Sequence, residues 1–326
     1  PDFNGTAEAT LYDSDRSTVT LGRPAAGTEG RRVTFDEHGD RLTVALDTVT
    51  GSRFTMRLHI PADIADNMRP ATLNIAAYDR SGTRAATCHR GIYVSGTDLS
   101  ALPDTLPPVI EYAVLNHHGF TDGQTVNPEP VLLARVTDDT AINLSTAGIG
   151  STMTLRLDDS RTPPDLSSYY SPQAVTEGAA GTIAYPLPRL TTGSHTLELR
   201  VYDTSGNEAT AMLRFHVSEN AGPRISEVYT DTNPASTQAR FYIRHDRPDA
   251  ILDVEMEVFD MHGRRLWTAR NSGRADTAGS SPMIWDLRDN GGHRVERGIY
   301  IYRARITDTS GRSSVSSAGR LAVTAR

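Results

Sequence analysis

The most reactive side chains of the sequence come in adjacent pairs. Cys88 stands beside His89, and a thiol next to an imidazole is the raw material of a cysteine nucleophile and its base. His117 and His118 form a second pair, of a type that can ligate a transition metal. Two acidic groups offer the hard oxygens that calcium takes: Asp138 and Asp139 with Asn143, and Asp286 with Asp289 and Asn290. Each chemistry sets a geometric demand. A nucleophile and its base must come within ~2.6–3.2 Å, whereas successive residues of a strand point to opposite faces. Cys88 and His89 lie in a run towards Val94 that reads as strand, so the spacing argues against a catalytic pair. His117–His118 has no patterned carboxylate or cysteine beside it, and neither acidic group has EF-hand spacing. Turn-capping by short polar side chains accounts for both acidic groups. A Gly-x-Ser-x-Gly elbow, a His-Glu-x-x-His pair and a phosphate-cradling glycine loop are absent. The expectation is a chain without catalytic residues or cofactor, with Asp138, Asp139 and Asn143 as the calcium candidates.

The elements that would carry these residues are strands. Leu197, Leu199 and Val201 alternate with Glu198 and Arg200, and Leu213, Phe215 and Val217 alternate with Arg214 and His216. That is the period of a hairpin with one face in a core and one in water. Between the arms lies Asp203-Thr204-Ser205-Gly206-Asn207, whose glycine suits a tight turn. The unit recurs at Tyr78-Asp79-Arg80-Ser81-Gly82, ahead of Ile92-Tyr93-Val94, and at Asp308-Thr309-Ser310-Gly311, ahead of Leu321-Ala322-Val323. The three aspartates are 124 and 105 residues apart, about one sandwich each. Proline-rich breaks at Leu102–Pro108 and at Asn220–Pro223 separate the copies. The expected fold is all-β, three immunoglobulin-like antiparallel β-sandwich domains in series: 1–104, with its start allowed to lie upstream, then 105–221 and 222–326. Helix is expected only for a turn or two at Pro61–Arg69.

Composition narrows the function classes. The chain has 326 residues, a net charge of −7 and a single cysteine, so it forms no internal disulfide. No apolar run approaches the ~20 residues of a membrane-spanning helix. All 33 basic residues are arginine. Residues 1–223 carry 17 arginines against 27 acids, and residues 224–326 carry 16 against 13. The last third therefore shows a different surface, yet one far from the basic footprint of a nucleic-acid binder. It holds Val254, Met256 and Val258 alternating with Asp253, Glu255 and Glu257, a turn at Phe259–Gly263, then Arg264-Arg265-Leu266-Trp267. Arg264, Arg265, Arg294, Arg297, Arg303 and Arg305 flank turns or alternate along strands, where they can pair with acidic loops of a partner.

Asn233-Pro234, Val258-Phe259-Asp260 with Gly263, Trp285-Asp286 and Gly298-Ile299-Tyr300 together resemble the C-terminal sorting domain of the bacterial type IX secretion system. Upstream, Pro108–Tyr112, Ala134-Arg135-Val136 with Asp138, Gly148-Ile149-Gly150, Tyr185-Pro186-Leu187 and Gly193–Leu197 stand in order before Val201-Tyr202-Asp203. That run, with Pro1–Gly5 and Tyr78-Asp79, is similar to the C-terminal region of the gingipain-type (C25-like) cysteine peptidases that act as sortases of that system. The resemblance implies a parent enzyme that removes sorting domains from cargo and joins the cargo to anionic lipopolysaccharide at the Gram-negative cell surface. It places the peptidase domain upstream and gives none of its catalytic residues to these positions; Cys88 matches no family nucleophile. It further implies an outer-membrane-associated location, and as partners a β-barrel shuttle (PorV-like) with its attachment complex. Two further functions stand beside the spacer-and-dock reading. One is a cargo protein whose terminal domain is removed near Gly222-Pro223; the other is a glycan-binding sandwich, which lacks an evident aromatic platform.

Overall fold

In the computed structural model, the described residues are 3–20, 32–62, 64, 69–79, 81–82, 84–96, 104–146, 151–175, 177–275 and 282–324. Gly148-Ile149-Gly150, Leu102-Pro103 and most of the expected helical turn at 61–69 lie outside them. The regular structure described is almost wholly strand, the exception being a 3-10 turn at Ser167–Tyr169. No helix among the described residues is long and apolar enough to cross a membrane. The chain divides into two compact units. One comprises Pro1–Ala113, Ala134–Tyr185 and Thr196–Leu213, and the other Val114–Leu133, Pro186–His195 and Arg214–Arg326.

The first stretch builds a four-stranded antiparallel sheet in the order Arg41–Val49, Gly5–Tyr12, Pro70–Tyr78, Arg84–Tyr93, with a separate ribbon of Arg16–Val19 and Thr34–Glu37. Its core is small, with Leu11, Leu42 and Ala71 at the centre and Leu58, Leu73 and Val94 against them. The outer strand Arg84–Tyr93 is exposed along nearly its whole length.

The second stretch has two four-stranded sheets. One runs Thr154–Leu157, Gly193–Tyr202, Glu208–Val217, Thr125–Val126, and the other Tyr170–Gln173, Ala179–Pro186, Val131–Asp138, Val109–Leu115. The expected hairpin is present. Leu197, Leu199, Val201, Phe215 and Val217 are buried while Arg214 and His216 are exposed, as alternation on a half-buried sheet requires.

The last stretch pairs Ile225–Thr230, Ala239–His245 and Met283–Trp285 in one sheet. The other contains Arg265–Arg274, Ile251–Phe259, Gly298–Asp308 and Ser313–Val315, with Gly319–Val323 also on Gly298–Asp308. Register decides which residues enter the core. Met256 lies opposite Ala269 and Ala304, and Val258 opposite Trp267 and Tyr302. Trp285 is fully buried, donates its Nε1–H to the Arg288 carbonyl at 2.6 Å and meets Tyr300 edge-on at 5.7 Å. Tyr302 faces Gly319 across the strand pair, so closely that a Cβ there would lie 2.2 Å from the ring. The final strand is also clamped from early in this stretch. Ala235 pairs in parallel with Val323: its N–H donates to Ala322, and the Thr324 N–H donates to it. Asn233 adds Oδ1 as acceptor for the Ala322 N–H and Nδ2 as donor to the Arg320 carbonyl.

One turn design recurs at Asp203, Asp260, Asp289 and Asp308. The aspartate Oδ1 accepts the N–H groups two and four residues on, and the glycine three residues on donates back to its carbonyl. Those glycines have φ between +80° and +92°, a region that costs other residues energy. Asp79 repeats the first half of the pattern with Ser81 and Gly82.

Candidate functional site

The arginine-rich face of the last stretch is largely self-paired. Glu255 and Glu257 leave the outer face of Ile251–Phe259, and the register sets Arg270 and Arg305 beside the first and Arg303 beside the second. Arg265 and Arg303 reach Glu257 at 2.9 and 2.8 Å, and Arg270 reaches Glu255 at 2.7 Å with Arg305 at 3.9 Å. Burial pushes the Glu257 carboxyl up, but the hydrogen bonds from Arg265 and Arg303 outweigh it and hold the group below its usual range. Arg303 also lies over the Phe259 ring at 5.0 Å. Arg264 pairs with Asp260 in its turn at 3.1 Å, and Arg294 donates to the Ser236 carbonyl at 2.7 Å. Of the six arginines, Arg297 alone lacks a side-chain hydrogen bond or ion pair among the described residues. It borders a shallow groove of about 480 Å³ lined by Gly298, Ile299, Ala322, Val323 and Thr324, in which Ile299 is 52% exposed. A cation beside exposed aliphatic surface can bind a protein loop of acidic and apolar character.

Of the calcium candidates, Asp138 and Asp139 converge with Asp104. Carboxylate oxygens of the three aspartates lie within 4.8 Å of one another. Asn143 accepts the Ser145 N–H, an Asx turn. In the second acidic group, Asp289 caps Gly291 and His293, Asn290 accepts the Thr268 N–H, and Asp286 accepts the Arg288 N–H.

Cys88 and His89 are successive residues of the outer strand, opposite Asn74 and Leu73, and Cys88 is exposed. Their side chains leave opposite faces, so neither can serve the other. His117 is half-buried, with an Nδ1 that meets no hydrogen-bond partner. Burial pushes its pKa down, with Asp246 opposing and Arg224 reinforcing.

His117 borders a junction that spacing alone did not disclose. Arg247, with a side chain 6% exposed, pairs with Asp246 at 3.0 Å and donates at 2.6 Å each to the carbonyls of Ala221 and Gly222. It also donates to Asn127 Oδ1 at 3.3 Å, fixing the break at Asn220–Pro223 to both flanking stretches. Asp246 in turn accepts the Arg224 N–H at 2.7 Å. Apart from the neighbouring Asp246, the partners of Arg247 lie 25 to 120 residues away in sequence, and no local signal brings them together. Asp104 escaped for the same reason.

No protein-family model matches the chain, and no curated protein matches it. Among solved structures, dimeric latent PorU from Porphyromonas gingivalis is 27% identical, over 99% of this chain and 30% of that one, with a TM-score of 0.40. SGBP-B of the Bacteroides ovatus mixed-linkage glucan utilization locus is 13% identical, over 98% of this chain and 60% of that one, at 0.30. The fibronectin(III)-like modules of Clostridium thermocellum CbhA are 10% identical, over 67% of this chain and 94% of theirs, at 0.22. This chain therefore spans 30% of the PorU chain and 60% of SGBP-B. Superpositions at TM-scores this low carry no functional argument.

Proposed function

We propose that this chain is a non-catalytic C-terminal segment of a PorU-like sortase of the type IX secretion system, serving as spacer and as dock for an outer-membrane β-barrel shuttle. The observation that carries the reading is the ordered set of sorting-domain residues, each with a structural task in one sandwich. Asn233 clamps the last strand, Asp260 and Gly263 make a turn, Trp285 fills the core and Tyr300 packs on Trp285. Residues that act jointly as the frame of one domain are a stronger match than the same residues scattered over surfaces. On this reading the peptidase chemistry belongs to an upstream domain of the parent enzyme. On the same reading the parent sits at the Gram-negative cell surface, and the chain comprises three sandwiches, 1–104, 105–221 and 222–326.

The dock is the patch of Arg297, Ile299 and their groove, since the other five arginines are engaged within the fold. A closed barrel has no free strand edge, so its loops are the complement. The cargo alternative requires cleavage near Gly222-Pro223. The Arg247 bonds to Ala221 and Gly222 speak against it, because a protease needs that backbone extended and free.

The test is capture of the detergent-solubilised barrel shuttle by residues 1–326 and by an Arg297→Glu/Ile299→Asp variant, altered at exposed positions only. The wild-type chain captures the barrel and the variant loses at least about tenfold, a loss of ~1.4 kcal/mol. Equal capture by the variant overturns the dock; no capture by the wild-type chain overturns the sortase reading.

A further inference from the structure

We propose that Asp104, Asp138 and Asp139 form a calcium site that fastens the Asp104–Pro108 segment to the sandwich that follows it. The site stands apart from the secretion reading and needs none of it. Its three carboxylates converge within 4.8 Å, and Asp138 is only 9% exposed. The Asp138 Oδ2 is fully buried and meets no hydrogen-bond partner. Leaving a buried acceptor unmade is costly, and native structures rarely do so without a water or an ion.

The neighbouring hydroxyl does not resolve the shortage. Thr140 Oγ1 lies 2.8 Å from Asp138 Oδ1 and 3.0 Å from Asp104 Oδ2, and its single proton can serve one of them. Arginine does not supply the missing charge either. Among the described residues none of the three aspartates forms an ion pair, whereas Glu198, Glu255, Glu257, Asp260 and Asp308 all do. The charges that act on Asp138 are those of Asp203 and Asp139, of its own sign. Asp203 is no alternative partner, because its oxygens accept from Ser205 and Asn207.

The donor set is oxygen only, which selects a hard cation over zinc or copper. The cradle is already positioned. Asp104 Oδ1 accepts the Leu106 N–H at 3.0 Å, and its carbonyl accepts from Asn207 Nδ2 at 3.2 Å, so the segment is in place before an ion arrives. Asp139 is exposed and lines a cleft of about 660 Å³ with Thr140, which gives an ion its way in. A site of three carboxylates with one at the surface belongs with extracellular calcium modules, whose Kd values run ~10⁻⁴–10⁻³ M.

The experiment is calorimetric titration of calcium into chelator-treated residues 1–326, with Asp139→Asn and Asp138→Asn in parallel. The expected result is one saturable site in the wild-type chain, weakened at least about tenfold in both variants. For a Kd of ~0.5 mM, 5 mM calcium also lowers the unfolding constant about tenfold. Asp138→Asn keeps an acceptor for Thr140 and removes the buried charge, and Asp139→Asn alters an exposed side chain, so the second variant reports even where the first does not fold. No saturable heat in the wild-type chain, or an unchanged isotherm in Asp139→Asn, overturns the proposal.

Discussion

Arg247→Met is the perturbation that most sharply probes how the last stretch is held. Methionine keeps the apolar stem and removes every donor. Asp246, with a side chain 11% exposed, then loses its counter-ion at 3.0 Å and retains the Arg224 N–H at 2.7 Å. The carbonyls of Ala221 and Gly222 lose their 2.6 Å donors, but both residues are half-exposed and water replaces most of that loss. The dominant cost is therefore the stranded buried carboxylate, about 3–5 kcal/mol. At ~2–4 °C per kcal/mol for a unit of this size, the melting midpoint falls by roughly 6–20 °C. The chain's two tryptophans, Trp267 and Trp285, both lie in the last stretch, so their fluorescence during a guanidinium titration reports that region. The pH dependence supplies the sharper readout. Burial already pushes the Asp246 carboxyl up, and losing Arg247, which opposes that, pushes it further. A carboxyl raised in the folded state costs stability only where it is ionised, so the deficit shrinks as pH falls from 7 towards 4.5. Asp246→Asn placed on top of Arg247→Met keeps an acceptor for Arg224 and recovers part of the loss. A deficit below ~1 kcal/mol, or one indifferent to pH, refutes the reasoning.

Two further outcomes rest on buried groups. His245 is 5% exposed, its Nε2 meets no partner, and burial with Arg247 alongside pushes its pKa down to about 4. Its contribution is whole above ~6.5 and is lost as pH falls through 4, about 3 kcal/mol in all; His245→Gln flattens that stretch of the stability–pH curve, and an unchanged slope contradicts the assignment. Gly319→Ala drives a methyl into the Tyr302 ring, at a cost of about 1–3 kcal/mol in denaturant midpoint, and a neutral result shows that the ring has room to move.

What could be read from the sequence divides by range. Alternation at Leu197–Val201 and Leu213–Val217 gave strands, faces and a turn, because period two and turn chemistry are local. The same locality misled in one respect. Asp79, Asp203 and Asp308 looked like markers of a sandwich's last hairpin, yet Asp260 and Asp289 build the same turn elsewhere, since carboxylate capping plus a positive-φ glycine suits any tight hairpin. The arginines were visible as exposed cations, but Glu255 and Glu257 disarm several of them only through cross-strand register, which a one-dimensional pattern does not carry. Arg247 and Asp104 find their partners across tens of residues. Asn143 accepts the Ser145 N–H in a turn that its own local sequence sets.

The clamp of Asn233–Ala235 on Arg320–Thr324 gives the molecule a mechanical character. The two segments run parallel, one early in the last stretch and one at its described end. Tension applied along the chain thus pulls them past each other lengthwise, and their hydrogen bonds share the load together instead of opening one by one as in a peeled antiparallel hairpin. A segment tethered at one end and loaded at the other bears force best in that geometry, and here the grip falls on the strand nearest the chain's last described residue.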